Sequence, residues 1–379
     1  MPPSNTPARR QKILLNGSTA VSLLNFRGPL IAELAGRGHE VHVSTPDLGD
    51  VDAAKLRALG AEPHDVPLAR TGLNPFADLI YYRAMRRLLS EVRPDLCLSY
   101  TIKPNIWASL AASSLGIRSA SMVTGLGYTF IGGRGARQRV IGRFARTLYR
   151  AATKANAVVI FQNPDDLTDF VDAGCLSDPA KARLVNGSGV DLTYFTPAPL
   201  PGEPVFLMVS RLLGNKGVRE YAAAARRLIG EGRKARFQLA GFIDEGLDGI
   251  SPHELQQWIT DGIEYLGHLD DVRPALRAAS VCVLPSYREG TPRSVLEAMA
   301  MGRAIVTTDE PGCRETVVDG VNGLLVPARD ENKLAQAMAE LIDHPQRRAA
   351  MGAQSLELAR AKYDVKTVNA VLLNHLGLD

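Results

Sequence analysis

The stretch PSYREGTPRSVLE, residues 285–297, carries two glutamates, Glu289 and Glu297, on either side of a seven-residue spacer. It follows an apolar run at 281–284, which predicts a buried strand. Pro292 suits the first position of a helix, where the missing backbone N–H costs nothing. The stretch therefore predicts a strand, a tight loop and a helix, in that order.

The start of this predicted helix suits an anionic group. Unpaired N–H groups and the positive end of the helix dipole together favour a phosphate. Glu289 would lie in the loop above that position, and Glu297 would lie about one and a half turns inside the helix. One carboxylate can then reach a sugar and the other a ribose, with a diphosphate between them.

A second loop supplies two cations. The segment SRLLGNKG at 210–217 follows the strand predicted at 205–209 and places Arg211 and Lys216 five positions apart. An arginine grips phosphate oxygens in a fork, and a lysine adds a compact point charge. Combined with the two glutamates, this loop predicts a site that neutralises a leaving diphosphate. Taken alone, it would fit a solvated basic loop equally well.

Short apolar strands alternate with helical patterns along all 379 residues, which is typical of α/β proteins with parallel sheets. Residues 195–204 contain four prolines and separate two sets of six strands. We therefore predict two doubly wound, Rossmann-like domains, 1–200 and 201–379, that face a central cleft, with a last helix that can return to the N-terminal domain. Ligands of such sheets bind at the carboxyl ends of the strands. The predicted strands are 12–16, 41–45, 95–99, 118–122, 157–161, 182–186, 205–209, 236–240, 263–266, 281–285, 304–308 and 323–327.

Composition indicates a protein of the reducing cytoplasm that needs no metal. The four cysteines are scattered singly, and Cys97 and Cys282 fall in apolar runs that predict the core. The seven histidines form no ligand pattern, and the lone Asp-x-Asp, residues 50–52, predicts a helix N-terminus. We expect neither a metal nor another cofactor. No apolar run reaches the roughly 20 residues of a membrane-spanning helix.

The net charge of +4 conceals a strongly basic segment at 131–164, which has seven basic and no acidic residues. Five of its cations share one helical face: Arg139, Arg143, Arg146, Arg150 and Lys154. An apolar face adjoins them: Val140, Ile141, Phe144 and Leu148. This pattern favours docking on an anionic membrane surface. The alternative is a helix that buries its apolar face in the core. Nucleic acid is disfavoured because no aromatic ladder accompanies the charge.

The loops at 210–217 and 285–300 together resemble family 4 of the retaining glycosyltransferases, which have the GT-B fold. The likeness covers nearly the whole chain and extends to enzymes that build polysaccharide or glycan repeats on polyprenyl diphosphate carriers. The further motifs that carry it are Gly302, Thr308, 311–316, 322–327, 100–105 and 124–128.

The resemblance implies a role for each charged residue in binding a UDP-sugar. Glu297 would hydrogen-bond the ribose hydroxyls, and Glu289 would contact the hydroxyls of the donor sugar. Arg211 and Lys216 would hold the diphosphate. Backbone groups that would assist in donor binding lie at Gly290, Thr291, Ser294 and Leu269, the last of these beside the uracil.

Two further residues are candidates for the acceptor. Many family members have a Gly-Gly loop after the first strand, whereas Gly17 stands alone here. Lys103 is the ionisable group of the 100–105 motif and would face the diphosphate of the acceptor; the alternative is a surface lysine ahead of a helix.

The favoured function is transfer of a sugar, with an N-acetylhexosamine as a candidate, from a UDP-sugar to a polyprenyl-diphosphate-linked saccharide. The enzyme would be cytoplasmic and peripheral on the inner face of the cell membrane. Three alternatives stay open. The two glutamates can form the acid and nucleophile of a retaining hydrolase, about 5–5.5 Å apart. The chain can also be a nucleotide-sugar epimerase, or a membrane scaffold that binds nucleotide sugars without turnover. A dinucleotide dehydrogenase fits poorly, because no Gly-x-Gly-x-x-Gly follows a strand. The loops at 124–135 and 242–249 are expected to select the sugars.

Overall fold

A computed structural model of the chain describes residues 9–69, 74–126, 136–244, 246 and 248–379. The chain divides into two compact units. The first unit comprises Met1–Ser188 and Asn369–Asp379, and the second comprises Gly189–Val368. Each unit is built on its own parallel β-sheet, as the sequence predicted for a pair of doubly wound domains.

The first unit has a seven-stranded sheet in the order β3-β2-β1-β4-β5-β6-β7. Its strands are β1 (Lys12–Asn16), β2 (Glu40–Thr45), β3 (Ala61–Asp65), β4 (Leu96–Tyr100), β5 (Ser119–Val123), β6 (Val158–Phe161) and β7 (Ala182–Leu184). Its α-helices before the chain leaves the unit are α1 (Ala20–Ser22), α2 (Gly28–Gly36), α3 (Asp50–Ala58), α4 (Pro75–Val92), α5 (Ile102–Ser114), α6 (Ala136–Ala155) and α7 (Pro164–Asp172).

The second unit has a six-stranded sheet in the order β10-β9-β8-β11-β12-β13. Its strands are β8 (Val205–Val209), β9 (Arg236–Ala240), β10 (Glu264–Tyr265), β11 (Val281–Leu284), β12 (Ala304–Thr308) and β13 (Gly323–Val326). Its helices are α8 (Val218–Gly230), α9 (Pro252–Thr260), α10 (Arg273–Ala278), α11 (Arg293–Ala300), α12 (Glu331–Asp343) and α13 (Pro345–Leu358). A last helix, α14 (Val365–Leu376), begins in the second unit and ends in the first, where Leu372 and Leu376 join the core.

The two sheets share one topological feature that positions ligands. In the first sheet β1 pairs with β2 on one side and with β4 on the other, and in the second sheet β8 lies in the same way between β9 and β11. The strand order reverses at these points. Open α/β sheets bind their ligands beside the carboxyl ends of the strands at such a reversal. The loops that follow β1, β4, β8 and β11 are therefore the places where function is expected.

All twelve predicted strands are present, and the described residues add β3. Its sequence is AEPHD, which lacks an apolar run and contains Pro63. A proline cannot donate to a strand ladder and is tolerated at a sheet edge. Because β3 is the edge strand of the first sheet, it forms where the sequence pattern gave no signal.

The units divide at Ser188 and Gly189, ahead of the proline-rich stretch in which we placed the boundary. The stretch belongs to the second unit because it packs there. Phe195 is buried in that unit's core, and the buried guanidinium of Arg303 donates to the carbonyl oxygen of Ala198 at 2.9 Å. Proline-rich backbone offers acceptors without matching donors, and the arginine supplies them.

The predictions for the cysteines and for residues 50–52 are confirmed. All four cysteines are buried free thiols. Asp50 and Asp52 lie in the first turn of α3, as an acidic helix N-terminus should. Across the described ranges there is no group of three or more His, Cys, Asp or Glu side chains able to hold a metal ion, and no helix is long and apolar enough to cross a membrane.

Candidate active site

The loops after β8 and β11 are tied together through their backbones. Tyr287 N–H donates to the carbonyl oxygen of Asn215 at 2.9 Å, and the hydroxyl of Ser286 donates to the same oxygen at 3.2 Å. Gly217 has φ +74°, and a Cβ there would overlap the carbonyl oxygen of Pro285. Glycine is therefore required directly after Lys216. This constraint fixes the backbone of the loop from which the Lys216 side chain projects.

Lys216 and Glu289 form the central ion pair of this site. Lys216 Nζ lies 2.5 Å from Glu289 Oε1, and the two side chains are 17% and 15% exposed. The pair lies at the reversal between β8 and β11. The structure thus brings together a cation and a carboxylate that the sequence had assigned to a diphosphate and a donor sugar.

A third loop, which follows β12, fixes the backbone of Glu289. Glu289 N–H donates to the carbonyl oxygen of Pro311 at 2.9 Å. Gly312 has φ +80°, and a Cβ there would collide with the carbonyl oxygen of Glu289. The loop after β12 thus fixes the backbone of Glu289, while Lys216 contacts the end of its side chain.

Helix α11 carries Glu297 into the interior of the second unit. It begins at Arg293 with Pro292 as its cap, one position later than the sequence predicted. Val295 N–H donates to the carbonyl oxygen of Pro292 at 3.1 Å. The N–H of Ser294, one residue earlier, has no preceding helical carbonyl to pair with. Gly290 and Thr291 lie in the loop that leads into this helix start. Val295 is fully buried in the core, which anchors the helix.

Glu297 is a buried carboxylate with one partner on its own helix. The guanidinium of Arg293 donates through Nε to Glu297 Oε1 at 2.7 Å. Burial raises the pKa of the Glu297 carboxyl above its usual range; Arg293 opposes this rise and Asp271 adds to it. The nearby Cys282 thiol stays protonated, because burial raises its pKa to about 12. Arg293 therefore keeps one oxygen of the carboxylate occupied and its charge compensated.

Arg211 pairs with a carboxylate on the other side of β8, toward β9. Arg211 Nη1 lies 3.0 Å from Asp244 Oδ2, in the loop that follows β9, and the arginine side chain is 52% exposed. The two predicted diphosphate cations thus hold separate carboxylates, Asp244 and Glu289. Arg211 is the more solvated of the two and is free to turn toward a ligand at modest cost.

The segment around Leu269 lies beside the end of β9. Gly241 N–H donates to the carbonyl oxygen of Gly267 at 2.8 Å, so the loops that follow β9 and β10 are joined. Phe242 is 46% exposed and meets the ring of His268 edge-on, with centroids 5.8 Å apart. Leu269 packs partly against the core next to them. These three side chains form a partly exposed patch beside the end of β9.

In the first unit, Gly17 and Lys103 lie at the carboxyl ends of the neighbouring strands β1 and β4. A Cβ on Gly17 would collide with the hydroxyl of Tyr100, so this glycine permits close packing of the two loops. Lys103 is no surface lysine: Nζ lies 2.8 Å from Asp78 Oδ1, and the two side chains are 12% and 11% exposed. Its charge is compensated by a residue of α4.

Thr101, between β4 and α5, adopts a backbone conformation that only glycine adopts readily. Its φ is +70° and its ψ is 160°. Its hydroxyl oxygen is buried and has no hydrogen-bond partner. Strain of this kind costs about 1–3 kcal/mol and is retained mainly at functional positions. Thr101 was not recognised in the sequence, because a side chain gives no sign of such a backbone angle.

The basic helix α6 exposes most of its described cations. Arg143, Arg150 and Lys154 are exposed, Arg146 is half-buried, and the side chain of Arg139 lies outside the described residues. Tyr149 and Ala152 are buried on the opposite face. Of the predicted apolar face, Leu148 packs partly against the core and Phe144 is 55% exposed. The side chains of Val140 and Ile141 lie outside the described residues.

Three ion-pair partners escaped the sequence analysis: Asp78, Asp244 and Arg293. The pair Arg293–Glu297 has the i,i+4 spacing of a helical ion pair and could have been found from that pattern. Asp78 and Asp244 lie far along the chain from Lys103 and Arg211, and nothing in the sequence links them.

Comparison with known proteins gives the class. Residues 27–187 match the family model described as "Glycosyl transferase 4-like domain", and residues 203–344 match "Glycosyl transferases group 1". The structure superposes on Anabaena Alr3699/HepE in complex with UDP-glucose with a TM-score of 0.77 at 19% identity, covering 97% of this chain and 100% of that one. Sucrose-phosphate synthase from Thermosynechococcus elongatus gives a TM-score of 0.78 at 19% identity, covering 97% and 98%. The fold is that of the GT-B glycosyltransferases.

Similar protein sequences identify the family within this fold. The N,N'-diacetylbacillosaminyl-diphospho-undecaprenol alpha-1,3-N-acetylgalactosaminyltransferase of Campylobacter jejuni is 30% identical over 85% of this chain and 87% of its own length. The putative glycosyltransferase EpsD of Bacillus subtilis is 24% identical over 94% of both chains. This chain belongs to the family 4 glycosyltransferases, and the resemblance stated from its motifs is confirmed.

Proposed function

We propose that this glycosyltransferase moves a sugar, with retention of anomeric configuration, from a UDP-sugar to a saccharide linked to polyprenyl diphosphate. The observation that carries the proposal is the largely buried ion pair of Lys216 and Glu289 at the reversal between β8 and β11. Glu289 lies in the loop that leads into α11, and α11 places Glu297 in the interior of the second unit. Lys216 and the start of α11 match the diphosphate of a nucleotide-sugar, Glu289 matches its sugar, and Glu297 matches its ribose.

The carboxylates of Asp244 and Glu289 pair with the two cations that, in this proposal, bind the diphosphate of the donor. A diphosphate offers Lys216 and Arg211 more negative charge than their present carboxylates do. When the cations turn to it, Glu289 is released to accept hydrogen bonds from the hydroxyls of the sugar. The second oxygen of Glu297 accepts from the ribose, while Arg293 keeps the first. N-acetylhexosamine is the donor sugar we favour, because the Campylobacter relative is named as an N-acetylgalactosaminyltransferase.

Bond making and bond breaking then take place on one face of the sugar. The bond from the anomeric carbon to the β-phosphate oxygen breaks, and UDP departs with the electron pair. The acceptor hydroxyl oxygen forms its bond to the anomeric carbon on the same face, and its proton passes to the departing phosphate oxygen. Lys216, Arg211 and the α11 start stabilise the growing negative charge, which is electrostatic preorganisation. No metal has a part in this scheme.

The proposal for the acceptor rests on Lys103 in the first unit and on the Campylobacter relative. That relative is named for a diphospho-undecaprenol substrate. Lys103, with Gly17 beside it, offers a cation at the carboxyl edge of the first sheet, where a lipid-linked diphosphate can bind. The exposed cations of α6, together with Phe144, suit peripheral docking on the anionic inner face of the cell membrane.

The test is UDP release from a panel of UDP-sugars, with and without membranes that carry polyprenyl-diphosphate-linked saccharides. We expect release that needs one UDP-sugar and the lipid fraction together, with the sugar recovered on the lipid in the α configuration if the donor is an α-linked UDP-sugar. An inverted product would contradict retention.

The alternatives give different results in the same assay. Release without any acceptor would indicate a hydrolase, and a changed UDP-sugar without release would indicate an epimerase. Lys216→Ala and Glu297→Ala should abolish release while Lys234→Ala, an exposed lysine on the same unit, should not. If the two site variants kept the protein's biological role, the hypothesis of a membrane scaffold without turnover would replace that of an enzyme.

A further inference from the structure

Tyr287, two residues before Glu289, is attached to another segment of the chain through both its backbone and its side chain. Its backbone N–H donates to the carbonyl oxygen of Asn215 at 2.9 Å. Its hydroxyl donates to Glu220 Oε1 at 2.5 Å, and Glu220 lies in the first turn of α8. A single short segment, which also contains Lys216, therefore holds Tyr287 at both ends.

The carboxylate of Glu220 is committed to this one hydrogen bond. Its second oxygen, Oε2, is buried and has no hydrogen-bond partner. Among the described residues no lysine or arginine forms an ion pair with Glu220: the neighbouring Arg219 turns to Glu254 instead, with Nε 2.8 Å from Oε1. Leaving one oxygen of a carboxylate buried and unsatisfied costs stability. The pairing of Glu220 with Tyr287 therefore calls for a reason other than stability.

The ring of Tyr287 is also covered by Arg329, in the loop that follows β13. The guanidinium carbon of Arg329 lies 4.4 Å from the ring centroid. Arg329 has φ +60°, a left-handed backbone conformation that is uncommon outside glycine. Burial and the hydrogen bond to Glu220 raise the pKa of Tyr287, and Arg329 opposes the rise. The hydroxyl therefore stays protonated at neutral pH and continues to donate to Glu220.

Lys216 and Glu289 project from the two segments that Tyr287 joins. Lys216 directly follows Asn215, and Glu289 lies two residues beyond Tyr287. In the proposed reaction the cation meets the diphosphate and the carboxylate meets the sugar. The covalent structure of the donor then dictates how far apart the two groups must be. A misplacement of about 1 Å in such an arrangement can slow a reaction about 100-fold.

We propose that Tyr287 and Glu220 are positioning residues, which set the separation of Lys216 and Glu289 in the donor site. This inference rests on the proposed function, because the donor is what gives that separation its importance. The hydroxyl of Tyr287 and the carboxylate of Glu220 are engaged with each other. Both residues thus act through the two loops and not on the reacting atoms.

The experiment compares Tyr287→Phe, Glu220→Ala and Glu220→Gln in steady-state UDP release with the lipid-linked acceptor. The first two variants break the hydrogen bond, whereas glutamine keeps an oxygen that accepts from the hydroxyl. We expect kcat to fall about 10- to 100-fold in the first two, while the KM for the donor changes less than about threefold. Glu220→Gln should restore kcat to at least about half of the wild-type value. The double variant Tyr287→Phe/Glu220→Ala should be no slower than the slower single variant, because both changes remove the same bond.

Tyr221→Phe is the matched control. It also removes a buried tyrosine hydroxyl from the second unit, one that donates to the carbonyl oxygens of Phe206 and Gln238 at 2.9 and 3.0 Å. The control should lower the melting temperature and leave kcat unchanged, and thermal unfolding of every variant separates a loss of folding from a loss of positioning. Equal losses of kcat in Tyr221→Phe and Tyr287→Phe would make Tyr287 merely structural and overturn the proposal.

Crystal structures of the wild type and of Tyr287→Phe test the geometry without turnover. We expect the distance from Lys216 Nζ to Glu289 Oε1 to change by more than about 0.5 Å, the tolerance within which catalytic groups are held. An unchanged distance would overturn the proposal, and so would wild-type kcat in Tyr287→Phe. If the wild type releases UDP from no UDP-sugar, the proposed function fails, and the distance still decides whether Tyr287 holds the pair in place.

Discussion

Lys216 and Glu289 are 73 positions apart in sequence, yet Lys216 Nζ lies 2.5 Å from Glu289 Oε1. Neither side chain is more than a fifth exposed, so the pair is shielded from the water that would weaken it. Each residue neutralises the other at the place where we propose that a diphosphate and a sugar bind. The pair holds both groups in position before the donor arrives, which limits the reorganisation that binding requires.

Lys216→Met should lower kcat/KM for the donor by about 10²–10³-fold, the usual loss when one transition-state charge partner is removed. Glu289→Gln should cost a similar amount. Because the two act as a unit, the double variant should be little worse than either single one. Steady-state kinetics of UDP release measure this, with the exposed Lys234→Met as control. A double variant whose losses simply multiply would show that the two residues act independently.

Arg293→Gln should make donor binding depend on pH. Burial raises the pKa of Glu297, and Arg293 opposes that rise, so its removal raises the pKa further. The charged groups that act on this carboxyl are Arg293 and, in the opposite sense, Asp271, with the protonated Cys282 nearby. The ionised form accepts from ribose, so the KM for the donor should rise most at the acid end of a series from about pH 5.5 to 8.5. Arg226→Gln, an exposed arginine on α8, should show no such trend.

Glu297→Gln should separate stability from binding. The folded pKa of Glu297 is raised, so its contribution to the unfolding free energy is fully present below the unfolded pKa and is lost as pH rises through the folded pKa. Glutamine has no such loss. Urea unfolding should therefore show the variant gaining stability relative to wild type toward neutral pH, while its affinity for UDP falls. A variant that loses both at pH 7 would mean that the pair with Arg293 outweighs the burial of the carboxylate.

Gly217→Ala should destabilise the second unit and lower activity together. The residue has φ +74°, and a Cβ would meet the carbonyl oxygen of Pro285. The left-handed backbone alone costs a side chain about 1–2 kcal/mol, and the collision adds to that by pushing apart the two loops that hold Lys216 and Glu289. Thermal unfolding and UDP release measure the two effects. Gly202→Ala, where no atom lies within 4 Å of the new Cβ, is the matched control and should be neutral.

Most of the strands could be predicted from the sequence because the interior strands of a parallel sheet are buried on both faces and are therefore short apolar runs. Strand β3 could not, since an edge strand that contains Pro63 has no such run. The loops that carry Lys216 and Glu289 could be placed because both motifs follow predicted strands. The ion-pair partner of Arg211 could not be predicted. It is Asp244, and only the fold brings the two residues together. Local patterns thus give elements and motifs, whereas contacts between distant segments need the structure.

The basic face of α6 should contribute to membrane binding in a salt-dependent way. Arg143→Gln/Arg150→Gln/Lys154→Gln removes three exposed cations, each worth about fivefold near an anionic surface. Vesicle binding should fall about 100-fold at low salt and much less at high salt, where the wild type also binds weakly. The control Lys234→Gln/Lys333→Gln removes exposed cations from the second unit. Equal losses for both sets would indicate a nonspecific charge effect.

Lys103→Met should raise the KM for the lipid-linked acceptor while leaving the KM for the donor unchanged, because Lys103 lies in the first unit. The change also leaves Asp78 as a buried, uncompensated carboxylate, which costs about 3–5 kcal/mol of stability. The double variant Lys103→Met/Asp78→Asn removes that charge and should regain most of the stability. If it regains stability but not acceptor affinity, the lysine contacts the acceptor. If it regains both, Lys103 is structural and the acceptor diphosphate binds elsewhere.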